Sequence, residues 1–335
     1  MTNQVTTEDN SKLVEEFAHS FEFLEQEIGT VVVGQAETIR LTLAAIFAGG
    51  HVLLEGAPGL GKTLLVRSIA ECMGLSFRRI QFTSDLMPSD ITGTQVLTED
   101  ENNRRKFLFQ AGPIFANIVL ADEVNRAGPK TQSALLEAME EKQVTVLGNT
   151  NPLPNPFFVL ATQNPIELEG TYPLPEAQLD RFILKLLVQS PSSTELKEIL
   201  RRTTGNNKLQ LASFLPADQC ASHIIKMRTL VRQVLVAPAV QDVLVGMMFA
   251  LAPESKTCTA KVHEYVKFGP GPRGAQAVLM VAKVLALLDR RINVAYEDIK
   301  TALLPAIRHR MILNFQAEAE GITADNIIAE IKDAN

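Results

Sequence analysis

Hydrophobic residues follow two different spacings along this chain. Between residues 30 and 189, short continuous apolar runs, among them Val52–Leu54, Ile118–Ala121 and Phe157–Ala161, alternate with stretches of helical periodicity. A continuous apolar run is typical of a strand that is buried on both faces, and strands that alternate with helices indicate βαβ crossovers. The pattern therefore predicts an α/β domain with a parallel sheet.

Helical spacing dominates on both sides of this region. In residues 1–29, the apolar positions fall on one face and predict an amphipathic N-terminal helix (Leu13, Val14, Phe17, Phe21, Leu24 and Ile28). After the polar loop Ser190–Ser193, the patterns of residues 190–335 are helical throughout and predict a smaller, all-helical domain. Alternating runs around polar turns, at residues 91–110 and 143–149, predict two hairpin inserts.

The loop after the run Val52–Leu54 has the composition of a phosphate-binding loop. Glycines allow its backbone N–H groups to point into one concavity, and the N-terminus of the following helix adds partial positive charge. A lysine at its end can reach the β- and γ-phosphates of a nucleotide, and the next hydroxyl can hold Mg²⁺. The residues of this P-loop are Gly56, Ala57, Pro58, Gly59, Leu60, Gly61, Lys62 and Thr63, followed by Leu64 in the helical stretch.

Polar residues follow two other predicted strands. Asp122 and Glu123 come directly after the run Ile118–Ala121. Asp122 can orient the waters around Mg²⁺, and Glu123 can activate an attacking water as general base. Asn164 follows the next run, and ligands of open α/β sheets lie beyond the carboxyl ends of the strands. We therefore expect Asn164 to contact the γ-phosphate or the water, with a plain Asn-Pro turn as the alternative.

Arg181 precedes the last apolar run of the α/β region, Ile183–Val188. An arginine at this place is not easily brought into the phosphate site of its own chain. It could equally be a surface residue that forms an ion pair.

Composition narrows the class of protein. The chain has 335 residues, 46% of them hydrophobic, which suits two domains with a large core. Cys72, Cys220 and Cys258 are far apart and form no C-x-x-C pair, which indicates free thiols in a reducing compartment. The first residues show no secretory signal, and the longest uncharged apolar stretch, between Arg40 and Glu55, is too short to span a membrane. We expect a cytoplasmic protein.

Charge is distributed unevenly. Residues 1–189 carry 14 basic and 24 acidic side chains, a net charge of −10, whereas residues 190–335 carry a net charge of +4. An acidic α/β half argues against a channel for nucleic acid. The basic pairs Arg201-Arg202 and Arg290-Arg291 indicate solvated faces or contacts to acidic neighbours.

Together these residues resemble the AAA+ ATPases, and three segments resemble the MoxR family more closely. The segments are residues 122–127 (Asp-Glu-Val-Asn-Arg-Ala), residues 132–146 with a Leu-Leu-Glu-Ala-Met-Glu-Glu core, and residues 174–182 (Leu-Pro-Glu-Ala-Gln-Leu-Asp-Arg-Phe). The resemblance extends from about Val31 to about Ile312. Gly128 and Gly274 depart from it, since proline and alanine are common at those positions.

The resemblance implies roles for further residues. Asn164 corresponds to sensor 1, and Arg181 to an arginine finger that enters a neighbouring subunit's site. Arg273, in the segment 269–274, corresponds to sensor 2 and would touch the γ-phosphate from the lid. The two hairpins correspond to inserts that face a central pore and are candidates for client contact. The segment that lines the adenine is matched by Val33, Gly34 and Gln35.

The family also implies an activity, namely Mg²⁺-dependent ATP hydrolysis by a homo-oligomeric ring, most often a hexamer, that remodels or matures client proteins. Metal- or cofactor-dependent enzymes are frequent clients, and a separate partner with a von Willebrand A domain is usual. Three alternatives stay open: a magnesium-chelatase-like motor subunit, a DNA helicase for which Arg104-Arg105-Lys106 is the hint, and a non-hydrolysing switch. Stimulation of turnover by DNA would indicate the helicase, and any turnover would exclude the switch.

Overall fold

The computed structural model describes residues 7–99, 105–165, 170–204 and 210–334. The predicted parallel sheet is confirmed: its five strands lie in the order 77–81, 118–122, 158–163, 51–55 and 182–187, with parallel pairing between all neighbours. The strands are β1 (His51–Glu55), β2 (Phe77–Gln81), β5 (Ile118–Asp122), β8 (Phe158–Gln163) and β9 (Phe182–Leu187).

Helices cover both faces of this sheet. Strand β5 is buried at every position, as its continuous apolar run predicts, and its side chains alternate between two hydrophobic cores. One core contains α2 (Ala36–Ala48) and α3 (Lys62–Cys72), and the other contains α5 (Pro129–Glu141). Shorter elements of this domain are α4 (Pro88–Thr92), the 3-10 turn Val124–Arg126 and α6 (Glu176–Leu179).

Both predicted hairpin inserts are confirmed. β3 (Gly93–Glu99) pairs antiparallel with β4 (Arg105–Ala111), and β6 (Gln143–Val146) pairs antiparallel with β7 (Asn149–Pro152). β3 also contacts β6, so the two hairpins lie side by side. Arg104, part of the basic run in the first hairpin, lies outside the described residues.

The N-terminal helix α1 (Thr7–Val31) ends two residues beyond the predicted boundary at residue 29. Phe17 and Phe21 are fully buried, with ring centroids 5.1 Å and 5.8 Å from that of Phe47 on α2. On the outer side, Arg290 pairs with Glu15 and Glu22 of α1 at 2.9 Å and 3.0 Å. The helix therefore joins the α/β domain to the C-terminal helices.

The C-terminal region is helical, as predicted, with a short antiparallel pair of strands that the prediction did not include. The strands are β10 (Val266–Phe268) and β11 (Ile312–Leu313). Helices α8 (Ala217–Gln233) and α11 (Pro272–Leu288) pack against α2. One hydrophobic core is therefore continuous through these C-terminal helices, which form the lid, and through α1 and one face of the sheet. The helices are α7 (Ser193–Thr203), α8 (Ala217–Gln233), α9 (Pro238–Ala250), α10 (Ala260–Tyr265), α11 (Pro272–Leu288), α12 (Tyr296–Ile307), α13 (Phe315–Glu320) and α14 (Ala324–Ala334).

The three cysteines are free thiols, as predicted. Within the part of the chain that the structure describes, none of the helices combines the length and the apolar character that a membrane span requires.

Candidate active site

The P-loop connects the end of β1 to the start of α3. Gly59 and Gly61 have φ angles of +81° and +77°, in the left-handed region that residues with a side chain rarely adopt. Gly61 directly precedes Lys62, the first residue of α3, and Thr63 is the second. The first N–H groups of a helix have no acceptor within the helix and favour an anion. The turn at Gly61 thus brings the loop onto a ready anion site.

Lys62 is turned back into its own loop. Its Nζ donates to the Gly56 carbonyl at 2.6 Å and to the Gln163 carbonyl at 3.5 Å. Burial lowers the pKa of the Lys62 amine, and the nearby carboxylates of Asp122 and Glu123 oppose this shift. The amine therefore lies between the loop and the acidic end of β5, where phosphate oxygens would compete for it.

Asp122, at the end of β5, is buried, and both of its carboxylate oxygens accept hydrogen bonds. Its Oδ1 accepts a hydrogen bond from Thr162 Oγ1 at 2.6 Å, and its Oδ2 accepts from Arg79 Nε and Nη2 at 2.9 Å and 2.7 Å. Thr162 belongs to β8 and Arg79 to β2, the two strands beside β5. The carboxylate is thereby fixed in orientation at the carboxyl edge of the sheet.

Glu123 adopts a φ of +56°, in the left-handed region, so the extended backbone of β5 ends at Asp122. Its backbone N–H donates to Thr162 Oγ1 at 2.8 Å. Its Oε2 accepts from Gln81 Nε2 at 2.8 Å and from Arg126 Nη1 at 2.9 Å. These contacts hold the carboxylate that the sequence identifies as the candidate base.

Asn164 lies at the same edge. It directly follows β8 and is buried. The preceding residue, Gln163, accepts hydrogen bonds at its carbonyl from the Gly56 N–H at 3.3 Å and from Lys62. The structure thus brings Lys62, Asp122, Glu123 and Asn164 together at one edge of the sheet, as the sequence predicts.

A cavity of about 190 Å³ lies beside the P-loop. Residues 31–35 form one wall, Gly59–Gly61 form the floor, and Leu196 and Ile199 of α7 form another wall. Gln35 Nε2 donates to the Leu60 carbonyl at 2.7 Å, whereas Gln35 Oε1 is buried and has no hydrogen-bond partner among the described residues. A mainly apolar slot with one unused acceptor fits the ring and amino group of adenine.

Arg181 and Arg273 lie at the opposite side of the sheet, where the strands begin. Arg181 immediately precedes β9, where Phe182 pairs with His51 at the start of β1. The P-loop follows the far end of β1, so the length of a five-residue strand, roughly 15 Å, separates it from Arg181. Arg273 lies at the same end, since it shares the partner Glu140 with Arg181, so the implied contact of Arg273 with its own chain's γ-phosphate is not compatible with this arrangement of the lid.

One carboxylate holds both arginines. Arg181 Nη2 is 3.0 Å from Glu140 Oε2, and Arg273 Nη2 is 3.0 Å from Glu140 Oε1. Arg273 Nη1 also lies 3.7 Å from Asp180 Oδ2. Together with His51, these residues line a second cavity, of about 280 Å³. The two guanidinium groups, one from the α/β domain and one from the lid, therefore lie in one ion-pair cluster.

Comparison with known proteins identifies the family. A model described as the ATPase family associated with various cellular activities (AAA) matches residues 51–184, and a model of the AAA lid domain matches residues 258–331. The chain is 39% identical over 313 residues to Chaperone MoxR1 of Mycobacterium tuberculosis, which covers 93% of this chain and 81% of that protein. The chain belongs to the MoxR family of AAA+ ATPases.

Other relatives agree with this MoxR assignment. The chain is 43% identical over 309 residues to the uncharacterised protein YeaC of Bacillus subtilis, with 92% of each chain covered. It is 31% identical over 307 residues to Protein MoxR of Methylorubrum extorquens, with 86% of each covered. The crystal structure of a candidate ATPase from Cytophaga hutchinsonii has a TM-score of 0.87 and 40% identity, and covers 96% of this chain and 95% of that one.

Sequence reasoning missed several side chains at this MoxR-family site. Arg79 and Gln81 of β2 contact Asp122 and Glu123. The sequence signal for these two residues was that a charged and an amide side chain occur near the end of a predicted strand. Leu196 and Ile199 of α7, which line the cavity, gave a weaker signal, because they are apolar residues on a helix with few buried positions. Arg202, expected on a solvated face or in contact with an acidic neighbour, binds the acidic Glu198, and it also binds the Gly29 carbonyl, which the sequence did not predict.

Proposed function

We propose that this chain binds Mg·ATP at the carboxyl edge of its sheet, hydrolyses it in a ring of identical subunits, most often a hexamer, and thereby remodels client proteins. The observation that carries the proposal is the separation of Arg181 and Arg273 from the P-loop of the same chain. Two arginines that cannot serve their own site are suited to complete the site of a neighbouring copy.

One subunit would supply the phosphate-binding cradle, which consists of the P-loop with Lys62. The backbone N–H groups of the P-loop would hold the phosphates, and Lys62 would exchange its carbonyl acceptors for phosphate oxygens. Thr63 and Asp122 would hold Mg²⁺, which neutralises phosphate charge when bound. The adenine would lie in the slot beside Gln35, with its amino group near the unused Oε1.

The attacking water would be prepared by Glu123 and Asn164. Glu123 would accept the proton of the water as general base, and Asn164 would orient that water through its side-chain amide. Gln81 and Arg126 hold the Glu123 carboxylate in the described structure. Both contacts are to Oε2, so the proton of the water would be accepted at Oε1.

The neighbouring subunit would supply Arg181 and Arg273. A planar guanidinium can form two parallel hydrogen bonds to phosphoryl oxygens and stabilise the negative charge that develops during transfer. Both side chains are already held close together by Glu140, so they would approach the neighbouring site as a pair.

The paired hairpins are the surface proposed for client contact. Phe107 is 70% exposed and Leu147 is 78% exposed, and Leu97 and Leu108 of the first hairpin are also exposed. Exposed apolar clusters of this kind are typical of protein-binding surfaces. The relative named as a chaperone supports a client of protein nature. Metal- or cofactor-dependent clients and a separate von Willebrand A-domain partner belong to the same proposal.

A subunit-mixing experiment tests the ring and the roles of the residues together. Specific ATPase activity should rise with protein concentration as rings form. Arg181→Ala should bind ATP normally and lose roughly 10³-fold in kcat, the effect typical of an arginine finger. Lys62→Ala should weaken ATP binding and abolish turnover, and Glu123→Gln should keep ATP binding while kcat falls on the order of 10²-fold. Arg201→Ala, at an exposed residue of α7, is the control and should be fully active.

The mixture gives the decisive result. Lys62→Ala subunits have an intact Arg181 and a defective cradle. Arg181→Ala subunits have an intact cradle and lack the arginine. Mixed rings contain some complete sites and should regain part of the activity. If activity does not depend on concentration, and mixed subunits that co-assemble regain none, Arg181 acts only as a surface ion-pair residue. Strong stimulation by DNA would instead support the helicase alternative.

A further inference from the structure

The backbone that carries Arg181 has an irregular start. The register between β1 and β9 shifts between His51 and Val52, which leaves Ile183 as an extra residue on β9. Such a β-bulge bends the strand and redirects neighbouring side chains. Gly50 makes room for the bulge, because a Cβ at this position would lie 2.5 Å from the Cβ of Ile183. The direction of Arg181 therefore depends on what holds this bulge.

Arg310 of the lid holds it. β9 is an edge strand, so carbonyls on its free side have no strand partner. Arg310 Nη2 donates to the carbonyls of Phe182 at 2.8 Å and Asp180 at 3.1 Å, and Nη1 donates to the carbonyl of Ile183 at 3.3 Å. Arg310 Nε donates to Asp180 Oδ1 at 2.7 Å. The side chain of Arg310 is only 4% exposed, so water cannot substitute for these contacts.

These contacts lie on both sides of Arg181 in the chain. Residue 180 is fixed through its carbonyl and its carboxylate, and residues 182 and 183 are fixed through their carbonyls. Glu140 then binds the guanidinium of Arg181 at 3.0 Å. The backbone and the tip of the arginine are thus set by different residues, and the backbone is set from the lid.

We propose that Arg310 is the positioning residue for Arg181: it fixes the bulged start of β9 and thereby the direction in which Arg181 leaves the subunit. The proposal rests on the role of Arg181 at a neighbouring site. Only a guanidinium can serve here, because its planar fork presents several donors in fixed directions, whereas a lysine presents a point charge.

Arg310→Lys is the first variant. It keeps a positive charge near Asp180 and loses the fork that holds the carbonyls. A displacement of about 1 Å at a catalytic group can cost about 10²-fold, so kcat should fall on this order. The affinity for ATP should stay unchanged, because Arg310 lies at the edge of the sheet away from the P-loop. Arg308→Lys is the matched control, since Arg308 also follows α12, is 12% exposed and pairs with Asp325, and its contact with β9, to the Lys185 carbonyl at 3.5 Å, lies beyond the bulge. It should keep wild-type kcat.

Mixing separates positioning from general loss of structure. Arg310→Lys subunits have an intact cradle, so with Lys62→Ala subunits they should regain activity to the extent that Arg181→Ala subunits do. With Arg181→Ala subunits they should regain none, since both lack a correctly placed arginine. Wild-type kcat in Arg310→Lys, or no recovery with Lys62→Ala when Arg181→Ala recovers, overturns the inference. If Arg181→Ala itself does not recover, the role at the neighbouring site fails and this inference fails with it.

Asp180→Asn covers the case in which Arg310→Lys does not fold. The Asp180 side chain is 31% exposed, and the change removes the charge opposite Arg310, and its weaker contact with Arg273 at 3.7 Å, while the buried guanidinium of Arg310 stays in place. The folded variant should bind ATP normally and lose roughly tenfold in kcat, part of the effect expected for misplacement. An unchanged kcat in this variant would also contradict the positioning role.

Discussion

Two buried histidines predict that this fold loses stability in mild acid. His309 Nε2 lies 2.9 Å from the Phe182 carbonyl oxygen and 3.0 Å from Arg310 Nη1, and its Nδ1 is buried without a hydrogen-bond partner among the described residues. His51 Nδ1 accepts from the Val159 N–H at 2.9 Å, so its Nε2 donates to the Met139 carbonyl at 3.2 Å. Both rings are therefore held in the neutral form.

The size of the effect follows from their pKa values. Burial, with Arg310 as the next cause, lowers the pKa of His309 from 6.5 to about 3, and burial lowers the pKa of His51 from 6.5 to about 4. The unfolded chain takes up these protons near pH 6.5, whereas the folded chain does not until far lower pH. Lowering the pH from 7 to about 5 should therefore cost about 2 kcal/mol of unfolding free energy per histidine.

The test compares His309→Gln with the wild type. Glutamine keeps an N–H donor for the Phe182 carbonyl and does not titrate. Between pH 7 and about 5, the unfolding free energy of the variant should therefore fall by about 2 kcal/mol less than that of the wild type. Guanidinium unfolding, followed by circular dichroism at both pH values, gives the difference. The same substitution at His263, which is exposed on α10, should leave the pH dependence unchanged. Equal pH dependence in His309→Gln and wild type would refute the reasoning.

Two further predictions concern the nucleotide slot and the N-terminal helix. Ile199→Ala removes apolar surface from the slot and should weaken ATP and ADP binding alike, by roughly fivefold in calorimetric titration, whereas Leu200→Ala, 52% exposed on the same helix, should not. Phe17→Ala empties a fully buried position between α1 and α2 and should lower the free energy of unfolding by about 3–5 kcal/mol. His19→Ala, on the exposed side of α1, should have little effect, and a similar loss in both variants would contradict the packing argument.

The features that the sequence predicts correctly depend on neighbours in the chain. The turn at Gly61, the adjacent acids Asp122 and Glu123, and the alternating runs of each hairpin are local patterns with a local physical cause. Asn164 directly follows the apolar run of its strand, so its position is also given by a local pattern. Because parallel strands bring their carboxyl ends to one edge, these separate local predictions also place the residues together.

Other features depend on contacts that no local pattern specifies. Arg79 binds Asp122 across 43 residues of chain, and the register between β2 and β5 decides which side chains meet. The place of Arg273 depends on how the lid docks, which is set by the packing of α8 and α11 on α2 and by α1. A motif predicts the chemistry of an arginine, whereas the docking of the lid decides which site it can reach.

The separation of cradle and arginines also bears on the kind of assembly that the proposed function needs. In a two-fold symmetric dimer the same surface patch meets itself, so a single interface would have to contain both the P-loop and Arg181. The P-loop lies where the strands of the sheet end and Arg181 lies where they begin, so the length of β1 separates them. An interface that joins the P-loop edge of one copy to the arginine edge of the next is therefore head-to-tail. Such an interface leaves one cradle and one pair of arginines unused at the ends of any open chain, and only closure into a ring completes every site.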